Sequence, residues 1–160
     1  MMNTIILQVM NLFKSYVFWS AFSAWFISQL AKSIIAFLNT PGEKKAKVFF
    51  EKFGSTGEMP SSHSAVVSAL SLAIGFSEGF DSNSFIIAFF LASIVIRDAV
   101  GVRLSNGVQA KTLNSLGTQV SEKMDIPFSP VREVNGHTKQ EVFVGIVIGL
   151  ITTCICVHIF

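Results

Sequence analysis

Residues 140–160, QEVFVGIVIGLITTCICVHIF, indicate what class of protein this is. This stretch is apolar nearly throughout, and it is as long as the roughly 20 apolar residues that a helix needs to cross the hydrocarbon core of a bilayer. The rest of the chain has a matching composition, because 51% of its 160 residues are hydrophobic and only 14% are charged. Soluble domains carry about 25% charged residues. The chain is therefore predicted to be a small integral membrane protein.

Three further stretches are apolar over a comparable length, at about residues 16–38, 62–80 and 84–104. Before the first of them, apolar side chains recur at helical spacing, at Ile5, Ile6, Val9, Leu12 and Phe13. An amphipathic helix of this kind lies in the membrane interface. We expect an all-α, polytopic membrane helix bundle with about four transmembrane helices, an N-terminal interfacial helix and a single domain over residues 1–160.

The loops between the predicted spans carry positive charge asymmetrically. Residues 39–60 and 105–139 hold eight of the nine Lys and Arg residues outside the spans, and Lys14 is the ninth. Four spans would place these two loops on one side of the membrane, and Lys and Arg are enriched in cytoplasmic loops. We expect a protein of the bacterial cytoplasmic membrane with both termini outside and the site described below facing the cytoplasm.

The composition disfavours two other classes of protein. The net charge is only +2, so the chain lacks the broad basic surface of a nucleic-acid-binding protein. Its two cysteines, Cys154 and Cys156, lie two positions apart in an apolar span, where their side chains point to different sides of a helix. Neither a disulfide framework nor a cysteine metal site is expected.

Polar residues that could form a site cluster at the predicted cytoplasmic end of the bundle. They are Lys32, Ser61, Ser62, His63, Arg97, Asp98, Arg103, His137 and Glu141. Ionisable residues inside membrane spans are costly, and they commonly mark a functional site. The alternative is that these residues are snorkelling side chains and helix caps.

An anion is the ligand that such a set would suit. Ser61, Ser62 and His63 begin a predicted helix, whose N-terminal N–H groups and dipole attract negative charge. Cationic side chains from other spans could surround the same anion, namely Lys32, Arg97 and Arg103. Fixed cations and N–H groups of this kind stabilise phosphoryl transfer. A proline followed by two serines is also an ordinary helix start, and that alternative stays open.

His137 and Glu141 are four residues apart, so they share one face of a helix. A carboxylate beside an imidazole fixes the tautomer of the ring and stabilises the charge that it develops. Residues 138–141 also match a capping box, which would explain Glu141 without catalysis. The two roles are compatible.

Three motifs together resemble a known family. They are Pro60-Ser61-Ser62-His63 with the flanks Gly57-Glu58-Met59 and Ser64-Ala65, then Asp98-Ala99-Val100-Gly101-Val102-Arg103, and Gly136-His137-Thr138-x-x-Glu141-Val142 followed by Gly145. The first is similar to the Pro-Ser-Gly-His signature of the type-2 phosphatidic acid phosphatases, which are related to the vanadium haloperoxidases. From Gln29 onward, the chain resembles the divergent membrane branch of that family.

The resemblance implies a phosphatase without metal or other cofactor that acts through a phosphohistidine. By position, His137 matches the nucleophile and Glu141 matches the acid that orients it. His63 matches the general acid that protonates the leaving alcohol.

The phosphate-binding residues match the family less closely. Ser61 and Ser62 match the pair that cradles the phosphate, and Lys32 is what remains of the first signature. The Arg-Pro of that signature is absent, and the Arg of the third is displaced by one residue. The missing positive charge would come from the end of the third span, where the chain carries Arg97 and Arg103 with Asp98 in support.

The sequence thus predicts a membrane enzyme that hydrolyses a lipid phosphate, or an isoprenoid phosphate or diphosphate, at the cytoplasmic interface. Its partners would be this lipid substrate and the bilayer, with no nucleic acid, and formation of a homo-oligomer stays open. Two other hypotheses use the same residues: a lipid-phosphate binding or carrier protein, and an inactive membrane scaffold. The two histidines and the acid favour an enzyme, because a carrier needs cations but no nucleophile.

Overall fold

A computed structural model describes residues 2–55, 58–133 and 136–160, and Gly57 of the first motif's flank lies outside these ranges. Every regular element in the described ranges is a helix, so the all-α prediction is confirmed. In chain order the helices are α1 (Met2–Leu12), α2 (Tyr16–Asn39), α3 (Lys45–Lys52), α4 (Ser62–Glu78), α5 (Asn83–Val100), α6 (Val102–Met124) and α7 (Lys139–Ile159), with a 3₁₀ turn at Gly42–Lys44.

Within the described ranges, three helical stretches are long and apolar enough to cross a membrane: Tyr16–Asn39, Asn83–Met124 and Lys139–Ile159. They contain three of the four spans predicted from the sequence. The first and last of these three stretches begin and end within one residue of the predicted spans. A polytopic membrane helix bundle is therefore confirmed at this level.

The remaining predicted span, α4, differs from the other three. It has 17 residues, which corresponds to about 26 Å of helix and is shorter than the ~30 Å hydrocarbon core of a bilayer. It packs against α2, α5 and α7. Its buried residues are all small: Ser62, Ser64, Ala65, Ser68, Ala69, Ser71, Ala73 and Gly75. Helices in membranes approach one another closely through such residues, so α4 forms the centre of the bundle.

Two glycines let α7 lie directly against α4. A Cβ atom on Gly145 would collide with the carbonyl oxygen of Ser61, and one on Gly149 would collide with that of Ala65. Glycines four residues apart lie on one helix face, where they allow close backbone approach. This contact brings the N-terminal ends of α4 and α7 together, and both ends carry predicted site residues.

Gly149→Val is expected to destabilise the protein, because the added side chain must push α7 away from α4. Overpacking of this kind costs about 1–3 kcal/mol. The measurement is thermal unfolding of the purified protein in detergent. Ile155→Val on the same helix is the control, since Ile155 is 52% exposed. An unchanged midpoint for Gly149→Val would contradict the close α4–α7 packing.

The third predicted span ends earlier than its hydropathy indicates. The sequence predicts a span to residue 104, whereas α5 ends at Val100 and α6 begins at Val102. The break is at Gly101, whose backbone angles are φ −107° and ψ −86°. Apolar residues continue through the break, so the hydropathy pattern does not reveal it. Arg103 therefore belongs to the first turn of α6 and not to α5.

Candidate active site

Lys32 lies on the buried face of α2 and is 2% exposed. Its Nζ donates a hydrogen bond to the carbonyl oxygen of Ser55 at 2.8 Å. A buried ammonium group is costly unless hydrogen bonds and opposite charges compensate it. The carboxylates that act on it are those of Glu58 and Glu141. Lys32 is thus a buried basic side chain held by the segment before α4.

Ser61 is the N-cap of α4, and its hydroxyl is used by the cap. Its Oγ accepts a hydrogen bond from the Ser64 N–H at 3.4 Å and lies 2.9 Å from the Ser64 hydroxyl. The Ser61 N–H donates to the carbonyl oxygen of Glu141 at 3.0 Å. Ser61 therefore joins α4 to α7, and its side chain is fully buried.

Ser62 and His63 line a cavity of about 260 Å³ next to α2. The rest of its polar lining consists of Gln29 and Ser55, and its apolar lining includes Trp25, Val66 and Val67. The Gln29 Nε2 lies 3.5 Å from the Ser62 hydroxyl. His63 is exposed, whereas Ser62 is 6% exposed. The cavity at the N-terminus of α4 is thus lined by both polar and apolar side chains.

His137 lies two residues before α7 and is 5% exposed. Its Nδ1 is 3.0 Å from Oε2 of Glu141. Its backbone N–H donates to the carbonyl oxygen of Ala99 at 3.1 Å, which ties the segment to α5. The backbone of His137 is therefore held by α5 and its imidazole by Glu141, and Nε2 is the nitrogen on the side away from Glu141.

Glu141 has both of the roles that the sequence leaves open. Its Oε2 accepts a hydrogen bond from the Thr138 N–H at 3.2 Å, and its own N–H donates to Thr138 Oγ1 at 3.3 Å. This is a complete capping box at the start of α7. The same carboxylate oxygen contacts His137, so capping the helix and orienting the imidazole are compatible.

His63 is within electrostatic reach of three other segments of the chain. The ionisable groups that act on it are Arg103, His137 and Lys32. They come from α6, from the segment before α7 and from α2. These residues are far apart in the sequence and interact in the folded chain.

Of the two arginines in the predicted set, Arg103 is the one that acts electrostatically on His63. Its Nε lies 2.6 Å from Oδ2 of Asp98, and its side chain is 50% exposed. Asp98 therefore orients Arg103 across the break between α5 and α6. Arg97 lies on an exposed face of α5 and is not among the groups that act on His63.

A family model described as "Divergent PAP2 family" matches residues 13–152. The chain belongs to the divergent PAP2 family. The matched region contains every residue of the predicted site, so the resemblance found from the three motifs is confirmed. Membership of this family connects the chain with membrane phosphatases.

A relative within the curated proteins spans nearly the whole chain. It is "Uncharacterized membrane protein YuiD" of Bacillus subtilis (strain 168), which is 33% identical over 162 residues. The match covers 94% of this chain and 99% of YuiD. No solved structure matches the chain.

The structure adds residues to the site that the motifs of the divergent PAP2 family did not reveal. Gln29 lies on the same face of α2 as Lys32, one turn earlier, and lines the cavity. A polar residue one turn before Lys32 in an apolar span was a signal that could have identified it. The backbone carbonyl of Ser55 accepts the hydrogen bond from Lys32. The ion pair between Lys52 and Glu58 joins α3 to the segment before α4. No local pattern predicts these last contacts.

Proposed function

We propose that this protein hydrolyses a lipid phosphate monoester, or an isoprenoid phosphate or diphosphate, through a phosphohistidine formed on His137. The observation that carries the proposal is the buried His137 whose Nδ1 lies 3.0 Å from the Glu141 carboxylate. A carboxylate in this position keeps the proton on Nδ1 and leaves the electron pair of Nε2 for attack. The family's relation to membrane phosphatases supports the same chemistry.

In the first step, Nε2 of His137 attacks the phosphorus atom and the bond from phosphorus to the ester oxygen breaks. With a monoester, the leaving alkoxide takes a proton from the imidazolium of His63, so the lipid departs as a neutral alcohol. With a diphosphate, the leaving group is the lipid monophosphate. Glu141 stabilises the positive charge that develops on the ring of His137. With a monoester, the products of this step are the alcohol and a phosphohistidine.

In the second step, water hydrolyses the phosphohistidine. His63, now neutral, accepts a proton from the water as its oxygen attacks phosphorus. The bond between phosphorus and Nε2 breaks, which releases inorganic phosphate and restores His137. His63 ends the cycle protonated and ready for the next substrate.

Charge on the phosphate is neutralised by fixed groups of the chain. Lys32 and Arg103 supply positive charge close to His63. The first backbone hydrogen bond of α4 runs from the Ala65 N–H to the carbonyl oxygen of Ser61. The N–H groups of Ser62 and His63 come before it and are not used in the helix ladder. Helix N-termini that carry such free N–H groups bind anions.

The proposal uses the chain's own charged groups and no divalent metal. Within the part of the chain that the structure describes, no three His, Cys, Asp or Glu side chains come together as metal ligands. Charge stabilisation in the proposal therefore comes from Lys32, Arg103 and the start of α4. The apolar side chains that line the cavity, Trp25, Val66 and Val67, suit the carbon chain of a lipid next to its phosphate.

Phosphate release from a panel of lipid phosphates by the purified protein tests this function. We expect release at the same rate in EDTA and in Mg²⁺, because no step uses a metal. The panel contains phosphatidic acid, lysophosphatidic acid, an isoprenyl phosphate and an isoprenyl diphosphate. Activity that is lost in EDTA and restored by Mg²⁺ would contradict the phosphohistidine mechanism. Tight binding without release would support the carrier hypothesis, and neither binding nor release would support the scaffold.

The orientation in the membrane is also part of the proposal, with the site facing the cytoplasm. Cysteines introduced at Lys45 and Ser129, after replacement of Cys154 and Cys156, are expected to resist an impermeant maleimide in intact cells. Both should react after the membrane is permeabilised. A cysteine at Asp81, between α4 and α5, is the control and should react in intact cells. The opposite labelling pattern would place the site on the outer face.

A further inference from the structure

An apolar cavity lies between the end of α2 and α3. Its volume is about 470 Å³, and its lining consists of Ile34, Phe37, Leu38, Ala46, Phe49 and Phe50. We name it the α2–α3 groove. Volumes of this size are typical of small-molecule sites. None of its lining residues belongs to the cavity beside His63.

The α2–α3 groove is continuous with the surface that faces the bilayer. Ile34, Phe37 and Leu38 form the last turns of α2, a helix long and apolar enough to span the membrane. Leu38 is 69% exposed and Phe50 is 75% exposed. An aqueous surface rarely carries such a patch, whereas a helix in the membrane interface buries exactly this kind of side chain among lipids. A lipid chain is therefore the kind of occupant that this lining suits.

The segment that forms one side of the α2–α3 groove is rich in lysine. Residues 42–53 contain Lys44, Lys45, Lys47 and Lys52 against two acidic residues, Glu43 and Glu51. The Lys45 ammonium lies 5.4 Å from the centre of the Phe37 ring, which lines the groove. A positive charge is thus fixed at the edge of an apolar cavity, where the phosphate of a lipid would lie.

We propose that the α2–α3 groove binds one acyl chain of an anionic phospholipid, with the phosphate of its headgroup held at Lys45 and assisted by Lys44 and Lys47. Basic residues beside a membrane span attract anionic headgroups, and an amphipathic helix supplies apolar contact. A neutral phospholipid would fill the same groove but would bring no net negative charge to Lys45. Lys47 pairs with Glu51 at 3.7 Å, so its contribution is secondary to that of Lys45. The site is separate from the histidines and does not depend on phosphatase activity.

Site-resolved photo-crosslinking tests the α2–α3 groove in the full-length protein. The protein is reconstituted in phosphatidylcholine nanodiscs that contain a trace of either phosphatidylglycerol or phosphatidylcholine with a diazirine in the acyl chain. After irradiation, labelled peptides are measured by mass spectrometry. We expect the phosphatidylglycerol probe to label residues 34–38 and 46–50 at least about threefold more than the phosphatidylcholine probe. Equal labelling by the two probes would overturn the proposal.

Two variants separate the charge from the cavity. Changing Lys44, Lys45 and Lys47 together to Gln is expected to remove the preference for phosphatidylglycerol. A matched set, Lys111, Lys123 and Lys139 changed to Gln, removes the same charge elsewhere and should keep that preference.

Filling the cavity provides the second test. Ala46→Trp leaves the charge unchanged, and it should lower labelling of the groove by both probes. A preference that survives the Lys44, Lys45 and Lys47 changes, or full labelling in Ala46→Trp, would contradict the proposed site. The readout is labelling, so its outcome is independent of whether the protein releases phosphate.

Discussion

His137→Ala is expected to abolish phosphate release from a lipid phosphate and from p-nitrophenyl phosphate alike. The variant has no nitrogen at the position of attack, so no covalent intermediate can form whatever the leaving group. Loss of a nucleophile that acts within a catalytic unit lowers kcat by about 10⁴-fold or more. The measurement is kcat for both substrates with the purified, reconstituted protein.

The third histidine of the chain provides the matched control for His137. His158 is exposed near the end of α7, and its Nδ1 lies 2.7 Å from the carbonyl oxygen of Cys154. His158→Ala should therefore leave both activities unchanged. Retention of activity in His137→Ala, with the thermal midpoint of the parent protein, would rule out the phosphohistidine at this position.

Hydropathy predicted the helices of the bundle because the bilayer sets their length and composition. A spanning segment must satisfy its backbone hydrogen bonds internally and present apolar side chains to lipid. For this reason the predicted span 16–38 agrees with α2 (Tyr16–Asn39), and 140–160 agrees with α7 (Lys139–Ile159). The prediction at 62–80 also located a helix, α4. Its small residues face neighbouring helices, so hydropathy described its composition without revealing its central position.

The choice between the two arginines could not be made from the sequence. Arg97 and Arg103 follow the same apolar run, and either could lie beside the phosphate if the helix were continuous. The backbone break at Gly101 decides the matter, because it turns the chain into α6 and places Arg103 against Asp98. A break of this kind depends on tertiary packing. Part of that packing comes from Gly136, which lies against the junction between α5 and α6.

The environment of Lys32 was likewise beyond local patterns. A lysine in an apolar span predicts a site or a snorkelling side chain, and its 2% exposure fits the site. The carbonyl of Ser55 that holds its Nζ lies 23 positions along the chain. Such a contact exists only once α3 has folded back toward α2, and no periodicity encodes that return.

His63→Ala is expected to slow hydrolysis of a lipid phosphate much more than hydrolysis of p-nitrophenyl phosphate. A lipid alkoxide needs a proton to leave, whereas p-nitrophenolate leaves without one. Loss of a general acid costs about 10²–10⁴-fold in rate when the leaving group is poor. We expect that range for kcat/KM with the lipid and a loss of about tenfold or less with p-nitrophenyl phosphate.

The neighbouring side chain Val67 supplies the control for His63. Val67 lies one turn further along α4 and lines the same cavity. Val67→Ala changes the shape of the cavity without removing a proton donor, so any loss of rate should be the same for both substrates within about threefold. A leaving-group dependence in Val67→Ala as large as that in His63→Ala would show that cavity shape, and not proton transfer, causes the effect.

Trapping of the intermediate distinguishes the two histidines directly. With p-nitrophenyl phosphate, His63→Ala can still phosphorylate His137 but lacks the base that activates water, so the phosphoenzyme should accumulate. Rapid quenching in alkali, where phosphohistidine survives, followed by mass spectrometry should locate the phosphate on His137. The His137→Ala variant should show none. Phosphate on residue 63 in His137→Ala would exchange the two roles, since the nucleophile would then be the histidine at the start of α4 and the acid would be the one held by Glu141.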